Sequence, residues 1–262
     1  MNKTIFSENR NLSSYTTIKV GGVAEYFAEP KSIDEFSYLI NWANLNKQKF
    51  HIIGAGSNLL INNIFIKGIV ICTKKLRSLI IDPCSGIVEA EAGVMLPTLS
   101  NSLARNGLKG GEWAVGIPGT LGGAIYMNAG TGNLSLAKNV ISVKVFNNKT
   151  NERMEIEKKD INFEYRYSSF QSNEFTIIGA KLHFEANGDF EKLIETTKNN
   201  LKLKTETQPY HQPSFGSVFK NPKNSYAAKL IDEMGLKGFK IGGAEISTMH
   251  SNFIINTSSA SS

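Results

Sequence analysis

Two glycine-rich segments hold residues whose types and spacing can bind a charged or flat ligand. Gly54-Ala55-Gly56-Ser57-Asn58-Leu59 offers backbone N–H groups that an anion can reach without Cβ interference, which reads as a phosphate cradle. Gly116-Ile117-Pro118-Gly119-Thr120-Leu121-Gly122-Gly123-Ala124 is still richer in glycine and is followed by Asn128-Ala129-Gly130. So many glycines cost backbone entropy, which makes sense where a flavin or nucleotide lies against bare N–H and C=O groups. A tight turn is the plain alternative for the first segment, and a crowded helix contact for the second. Leu59 stands where a dinucleotide fingerprint needs its third glycine, and no Gly-Lys-Ser/Thr follows to make a P-loop.

Two further segments carry polar chemistry. Arg166 lies among aromatic residues in Asn162-Phe163-Glu164-Tyr165-Arg166-Tyr167-Ser168-Ser169-Phe170, where a guanidinium either grips a carboxylate with both arms or stacks on a surface ring. Pro213-Ser214-Phe215-Gly216-Ser217-Val218-Phe219-Lys220-Asn221-Pro222 brings a hydroxyl, an ammonium and an amide into one stiff stretch. Ser217 is not in a Gly-x-Ser-x-Gly elbow, which leaves a proton donor or a turn hydroxyl. His51, His183, His211 and His250 share no metal-ligand spacing, so no metal is expected; His250 is a candidate for the wall of a polar pocket.

The elements that must position these groups are written in the hydrophobic periodicity. Val23 to Phe27 reads as a strand, Ser32-Ile33-Asp34-Glu35 as the capping box of a helix, and Phe50 to Ile53 as the strand feeding the first glycine segment. The turn Asp82-Pro83-Cys84-Ser85-Gly86 reads as a subdomain boundary. Beyond it come a strand at Ile87 to Ala92, a helix from Leu96-Pro97 to Asn106-Gly107, a hairpin of Val140 to Phe146 with Arg153 to Ile156, and a strand at Thr176 to Phe184. A helix from Asp189 leads into Lys202 to Pro213, read as a linker, and Tyr226 to Met234 reads as a last helix. The expected division is residues 1–82, 83–188 and 189–262.

Composition narrows the function classes. The 29 Lys and Arg against 23 Asp and Glu give a net charge of +6. The lysines are scattered and no nucleic-acid motif occurs, so a small phosphate-bearing partner is expected, with no nucleic acid and no obligate protein partner. Trp113 to Ala137 is uncharged, but its glycines and Pro118 argue against a membrane helix. Two cysteines without metal spacing and no long apolar stretch behind Lys3 point to the cytoplasm.

The ordered set of these segments resembles the UDP-N-acetylenolpyruvoylglucosamine reductases (MurB), flavoenzymes of peptidoglycan precursor synthesis. The resemblance runs from Asn11-Leu12-Ser13-Ser14-Tyr15-Thr16-Thr17-Ile18-Lys19-Val20-Gly21-Gly22 through both glycine segments, Tyr165-Arg166-Tyr167-Ser168 and Gly216 to Pro222, to Gly242-Gly243-Ala244 and Asn256. It implies an α+β fold of the vanillyl-alcohol-oxidase/PCMH type, with two FAD-binding subdomains and a smaller substrate-binding domain. It implies FAD held by Gly54 to Leu59 and by Gly116, Ile117, Pro118, Gly119, Thr120, Gly122, Gly123, Ala124 and Asn128. NADPH is the implied reductant and an enolpyruvyl UDP-sugar the implied substrate. Arg166 is implied as stabiliser of the charge on the substrate carboxylate, Ser217 as proton donor, and Tyr165, Lys220, Asn221 and His250 as substrate contacts. The family also carries a catalytic glutamate near its C-terminus, after one more helix, whereas no acidic residue follows Glu245 here. The expectation is therefore a chain shortened at that end, with turnover impaired more than FAD binding. A flavin oxidase of the same fold, or a flavin-binding protein without turnover, are the alternatives.

Overall fold

The computed structural model describes residues 5–262; Met1–Thr4, part of the stretch read for a leader, lie outside the described residues. Three larger sheets follow one another along the chain, with two two-stranded ribbons besides. In the first, Phe6–Asn11 pairs antiparallel with Val23–Ala28, which runs parallel to Phe65–Cys72, itself parallel to Phe50–Ile53. Parallel strands need a crossover, and helix α1, Ile33–Leu45, supplies one. Its capping box forms: Ser32 Oγ accepts from the Glu35 N–H at 3.1 Å, while the Glu35 carboxylate accepts from the Lys31 N–H at 2.7 Å.

The buried face of α1, Phe36, Leu39, Ile40 and Ala43, packs with Ile69 and Ile71 of the first sheet and with Phe146 and Ile178 of the second. Phe36 meets Phe146 edge-on, with ring centroids 5.9 Å apart. Each such side chain contributes about 1.5–3 kcal/mol on burial, so the first two sheets share a core.

The second sheet is antiparallel, in the order Arg153–Glu157, Val140–Asn147, Phe175–His183, Ile87–Glu91, Leu79–Ile81. In its last pairing Leu79–Ile81 joins this sheet, so the Asp82 turn closes a hairpin inside it. Asp82 accepts from the Cys84 N–H and the Ser85 hydroxyl, which makes it a turn former. Helix α2, Leu96–Arg105, starts with proline in its first turn and ends ahead of Gly107 at φ +68°. Helix α3, Leu121–Tyr126, lies within the glycine run and is capped by Thr120.

Helix α4 spans Phe190–Thr207 and buries Leu193 and Thr197, so residues 202–207 are helix rather than linker. Its face packs on α2 and on the 3-10 turn Glu112–Gly116, which places it against the second unit. The third sheet is small and antiparallel, in the order Ser214–Ser217, Phe253–Asn256, Ala244–Ile246, Lys240–Ile241. Helix α5, Ala227–Glu233, is tied to the turn between two strands of this sheet by Ser251 Oγ, which donates to the Ala228 carbonyl at 2.5 Å. Among the described residues no helix is long and apolar enough to cross a membrane.

Candidate active site

The loop after Phe50–Ile53 is held by its carbonyls. Gly56 C=O accepts from the Thr17 N–H at 3.2 Å, and Gly54 C=O accepts from Cys72 Sγ at 3.6 Å. Gly56 has φ +66°, and a Cβ there would stand 2.0 Å from the Tyr15 carbonyl oxygen. Among the described residues, none of the N–H groups of Ala55, Gly56, Ser57, Asn58 and Leu59 donates to a protein acceptor. Five successive open donors around a left-handed glycine form the kind of concavity that binds phosphate.

The second glycine run meets this loop. A Cβ on Gly54 would lie 2.3 Å from Thr120 Oγ1, and one on Gly119 would lie 3.5 Å from Ser57 Oγ. Gly216, from the third sheet, comes to the same place, its Cβ position 3.9 Å from the Ser57 carbonyl oxygen. Three segments far apart in sequence thus gather round Ser57.

The glycines of the run divide into two kinds. A Cβ on Gly116 would strike Lys204 Cγ at 2.6 Å, and one on Gly122 would strike Ala92 Cβ at 2.9 Å, so both are small because protein crowds them. Gly123 is exposed, and a Cβ there would meet only Thr120 Oγ1, at 3.5 Å. Gly119 is equally free of hard contacts. Gly119 leaves bare backbone beside Ser57, and Gly123 leaves bare backbone on α3; with the open amides they fit a dinucleotide-like cofactor with a flat ring and a pyrophosphate.

Asn128 is bonded within the protein on both sides of its carboxamide. Its Nδ2 donates to the Glu164 carbonyl at 2.8 Å, and its Oδ1 accepts from the Ala137 N–H at 3.2 Å. The Glu164 bond leads to the hairpin of Phe163–Glu164 and Tyr167–Ser168, whose tip is Tyr165-Arg166. Arg166 Nη2 donates to the Gly130 carbonyl at 2.8 Å, and its guanidinium carbon lies 5.0 Å from the Tyr165 ring centroid. The remaining guanidinium donors have no partner among the described residues.

The Tyr165 hydroxyl accepts from the Asn221 N–H at 3.4 Å across a cleft of about 480 Å3 lined by Tyr165, Asn221, Lys223, Ser225 and Tyr226. Ser217 ends its strand exposed, with its hydroxyl unbonded among the described residues. Lys220 is exposed and makes no ion pair among them. Asn252, which the sequence reading did not single out, clamps this turn: its Oδ1 accepts from the Phe219 N–H and its Nδ2 donates to the Phe219 carbonyl, both at 2.9 Å.

Two more residues belong here that the sequence reading placed in a linker. Tyr210 Oη donates to the Gly116 carbonyl, and burial pushes its hydroxyl up from the usual range. Lys204 lies along Gly116, and burial first, then the Arg166 charge, holds its ammonium below the usual lysine range. His250 Nδ1 accepts from the Asn252 N–H at 3.3 Å; burial, followed by the charges of Lys204 and Lys237, keeps the imidazole neutral more readily than in water. The cluster is cationic, which suits an anionic ligand.

Comparison with known proteins supplies the family. The FAD binding domain family matches residues 24–153, and the C-terminal domain family of UDP-N-acetylenolpyruvoylglucosamine reductase matches residues 208–262. The UDP-N-acetylenolpyruvoylglucosamine reductase of Prochlorococcus marinus subsp. pastoris (strain CCMP1986 / NIES-2087 / MED4) is 68% identical over 262 residues, covering 100% of this chain and 88% of its own length. That of Synechococcus sp. (strain RCC307) is 44% identical over 249 residues, covering 95% of this chain and 82% of its own. The crystal structure of the reductase (MurB) from Thermus caldophilus superposes with a TM-score of 0.83 at 30% identity, covering 98% of this chain and 90% of that one. A Phl p 4 variant described as a glucose oxidase shares the fold alone, with a TM-score of 0.54 at 12% identity over 71% of this chain and 42% of that one. The fold is the α+β FAD-binding type expected from the sequence, and the chain belongs to the UDP-N-acetylenolpyruvoylglucosamine reductase family.

Proposed function

We infer that this chain is an FAD-dependent oxidoreductase that uses NADPH to reduce the enolpyruvyl group of a UDP-N-acetylglucosamine derivative in peptidoglycan precursor synthesis, giving UDP-N-acetylmuramate. The observation that carries this reading is the row of open amides from Ala55 to Leu59, facing Gly119 and within reach of the third sheet at Gly216. FAD, when bound, supplies the hydride that NADPH provides.

The chain's own residues do the rest. The Ala55–Leu59 amides hold the cofactor pyrophosphate, and Gly119 and Gly123 give its ring a bare surface. The free donors of Arg166 grip the substrate carboxylate, and the fixed cation gains strength as negative charge spreads onto that group. Ser217 Oγ gives a proton to the carbon beside the carboxylate; a serine is a weak acid, so contact with a strongly basic carbon matters more than its pKa. Tyr165, Lys220, Asn221 and neutral His250 line the nucleotide-sugar side. The unit boundaries follow the sheets: a first unit to about Leu76, a second through α4, and a third from the segment after Thr207. A cytoplasmic enzyme acting without an obligate protein partner is the setting that fits.

The visible absorption spectrum of the purified protein tests this directly. A bound-flavin spectrum that shifts on adding the enolpyruvyl UDP-sugar is expected. A folded, colourless protein that takes up no added FAD would overturn it.

A further inference from the structure

The ribbon that carries Arg166 is too small to fix it. Phe163–Glu164 and Tyr167–Ser168 pair over two residues each, and an isolated ribbon of that size is marginal in water. Its tip is strained as well: Arg166 has φ +56°, a left-handed conformation that costs a non-glycine residue about 1 kcal/mol or more. Something outside the ribbon must therefore hold it.

Most of the holding bonds come from residues 126–130, at the end of α3 and just after it; one more reaches the tip from the third unit, where the Tyr165 hydroxyl accepts from the Asn221 N–H. Asn128 Nδ2 donates to the Glu164 carbonyl, two residues before Arg166. Ser168 Oγ and Gln171 Nε2 both donate to the Tyr126 carbonyl, at 2.8 and 3.0 Å. Arg166 itself reaches the Gly130 carbonyl. Asn128 ties three pieces together, because its Oδ1 also takes the Ala137 N–H while the residue keeps only 7% of its exposure; Gln171 Nε2 supports the same tip by reaching the Arg166 carbonyl at 3.4 Å. The φ of Asn128 is +41°, a conformation asparagine tolerates, so the side chain stays free to make both bonds.

We propose that Asn128 is the positioning residue of Arg166: its carboxamide fixes the hairpin so that the guanidinium meets the carboxylate of an enolpyruvyl ligand. This rests on the reading of Arg166 as the carboxylate-binding group. It also assigns Asn128 a task on the substrate side of the glycine run.

The test is a ratio of affinities on the FAD-loaded protein, measured by calorimetry: the enolpyruvyl UDP-sugar against UDP-N-acetylglucosamine, which lacks the carboxylate. Arg166→Met is expected to lower that preference by about tenfold or more, the worth of a charge-assisted pair. Asn128→Gly, which keeps the left-handed backbone and removes the amide, is expected to lower it about fivefold, with FAD affinity within about twofold of the parent. Adding Asn128→Gly to Arg166→Met is expected to lower it no further. Asn128→Asp, which keeps the Ala137 bond but turns an oxygen on the Glu164 carbonyl, is the second variant and should behave like Asn128→Gly. An unchanged preference in both Asn128 variants would overturn the proposal, as would equal weakening of both ligands or loss of folding in both variants. An unchanged preference in Arg166→Met would instead bring down the Arg166 reading, and this proposal with it.

Discussion

In the loop from Gly54 to Leu59 five successive N–H groups stay open, whereas in the run from Gly116 to Ala124 the N–H groups of Ile117, Gly119, Leu121, Gly122 and Gly123 all end on protein acceptors. The two segments share a composition and differ in what their glycines do. Gly56, left-handed at φ +66°, spends its carbonyl on the Thr17 N–H, while the neighbouring amides have no protein acceptor among the described residues, which suits a place for charge. In the second run Gly116 and Gly122 let α4 and Ala92 approach, and only Gly119 and Gly123 leave room. A count of glycines therefore overstates the ligand surface, and the accounting of amide hydrogen bonds recovers it.

The sharpest way to break this comparison is at Gly56. Gly56→Ala combines a left-handed conformation with a Cβ set against the Tyr15 carbonyl, and is expected to cost about 3–5 kcal/mol in chemical denaturation and to abolish FAD retention. Gly54→Ala should cost less, about 1–3 kcal/mol, because the atom it meets is the Thr120 hydroxyl. Combined with Thr120→Ala it should cost less than the two single changes added together, even though the cap of α3 is lost; simple additivity would mean that the two loops do not touch as described.

Gly116→Ala presses on the flexible Lys204 stem, and a loss of about 1 kcal/mol, relieved by Lys204→Ala, is expected. Gly123→Ala should act on the ligand alone. It fits the protein and improves helix propensity by up to about 1 kcal/mol, yet it should weaken FAD binding by about tenfold in a fluorescence titration. A Gly123→Ala protein with parental FAD affinity would show that the flat ring lies elsewhere.

The smallest effect is on pH. His51 and His250 are both held below the ordinary value of 6.5, mainly by burial. The unfolded chain then binds more protons than the folded one just below pH 6.5, so stability is full above that value and falls as pH drops through the folded-state values. Thermal melts between pH 7.5 and 5 should show the decline, and His250→Gln should reduce it.

Much of the frame was legible because local signals agreed with it. Ser32 with Glu35, Leu96-Pro97 with Gly107, and the alternation in Val140 to Phe146 each mark an element that the structure contains. Phe65–Cys72 was not marked: Gly68, at φ +89°, breaks its alternation, and its burial on both faces removes the polar half of the pattern. Phe6–Asn11 hides for the opposite reason, being an edge strand of mostly exposed polar side chains. Lys202 to Pro213 looked like a linker because its charges mask a helical turn whose contacts, from Lys204 and Tyr210 to Gly116, are all long-range. The spacing of Ala227, Leu230, Ile231 and Met234 gives the helix but not its burial, since only Ala227 is buried.

At the candidate site, residue type is enough to single out Arg166 and the Gly54 to Leu59 loop as candidates. Partnership stayed hidden at Asn128 and Asn252, whose hydrogen bonds join segments 36 and 33 residues apart.

The bond from Asn256 Nδ2 to the Ile18 carbonyl, at 3.0 Å, spans 238 residues and fixes an order of events. Ile18 lies in the same N-terminal segment whose Thr17 supports Gly56, so the third sheet docks on a strip that the Gly54 to Leu59 loop also uses. Contacts of such separation are the slowest to form, because the whole intervening chain must first be reeled in. During synthesis the loop and its supporting strip emerge early, while the wall at Gly216 and the clasp at Asn256 come late. A newborn chain therefore carries the glycine loop and its supporting strip before the sheet that will close beside Ser57, and that sheet is seated last.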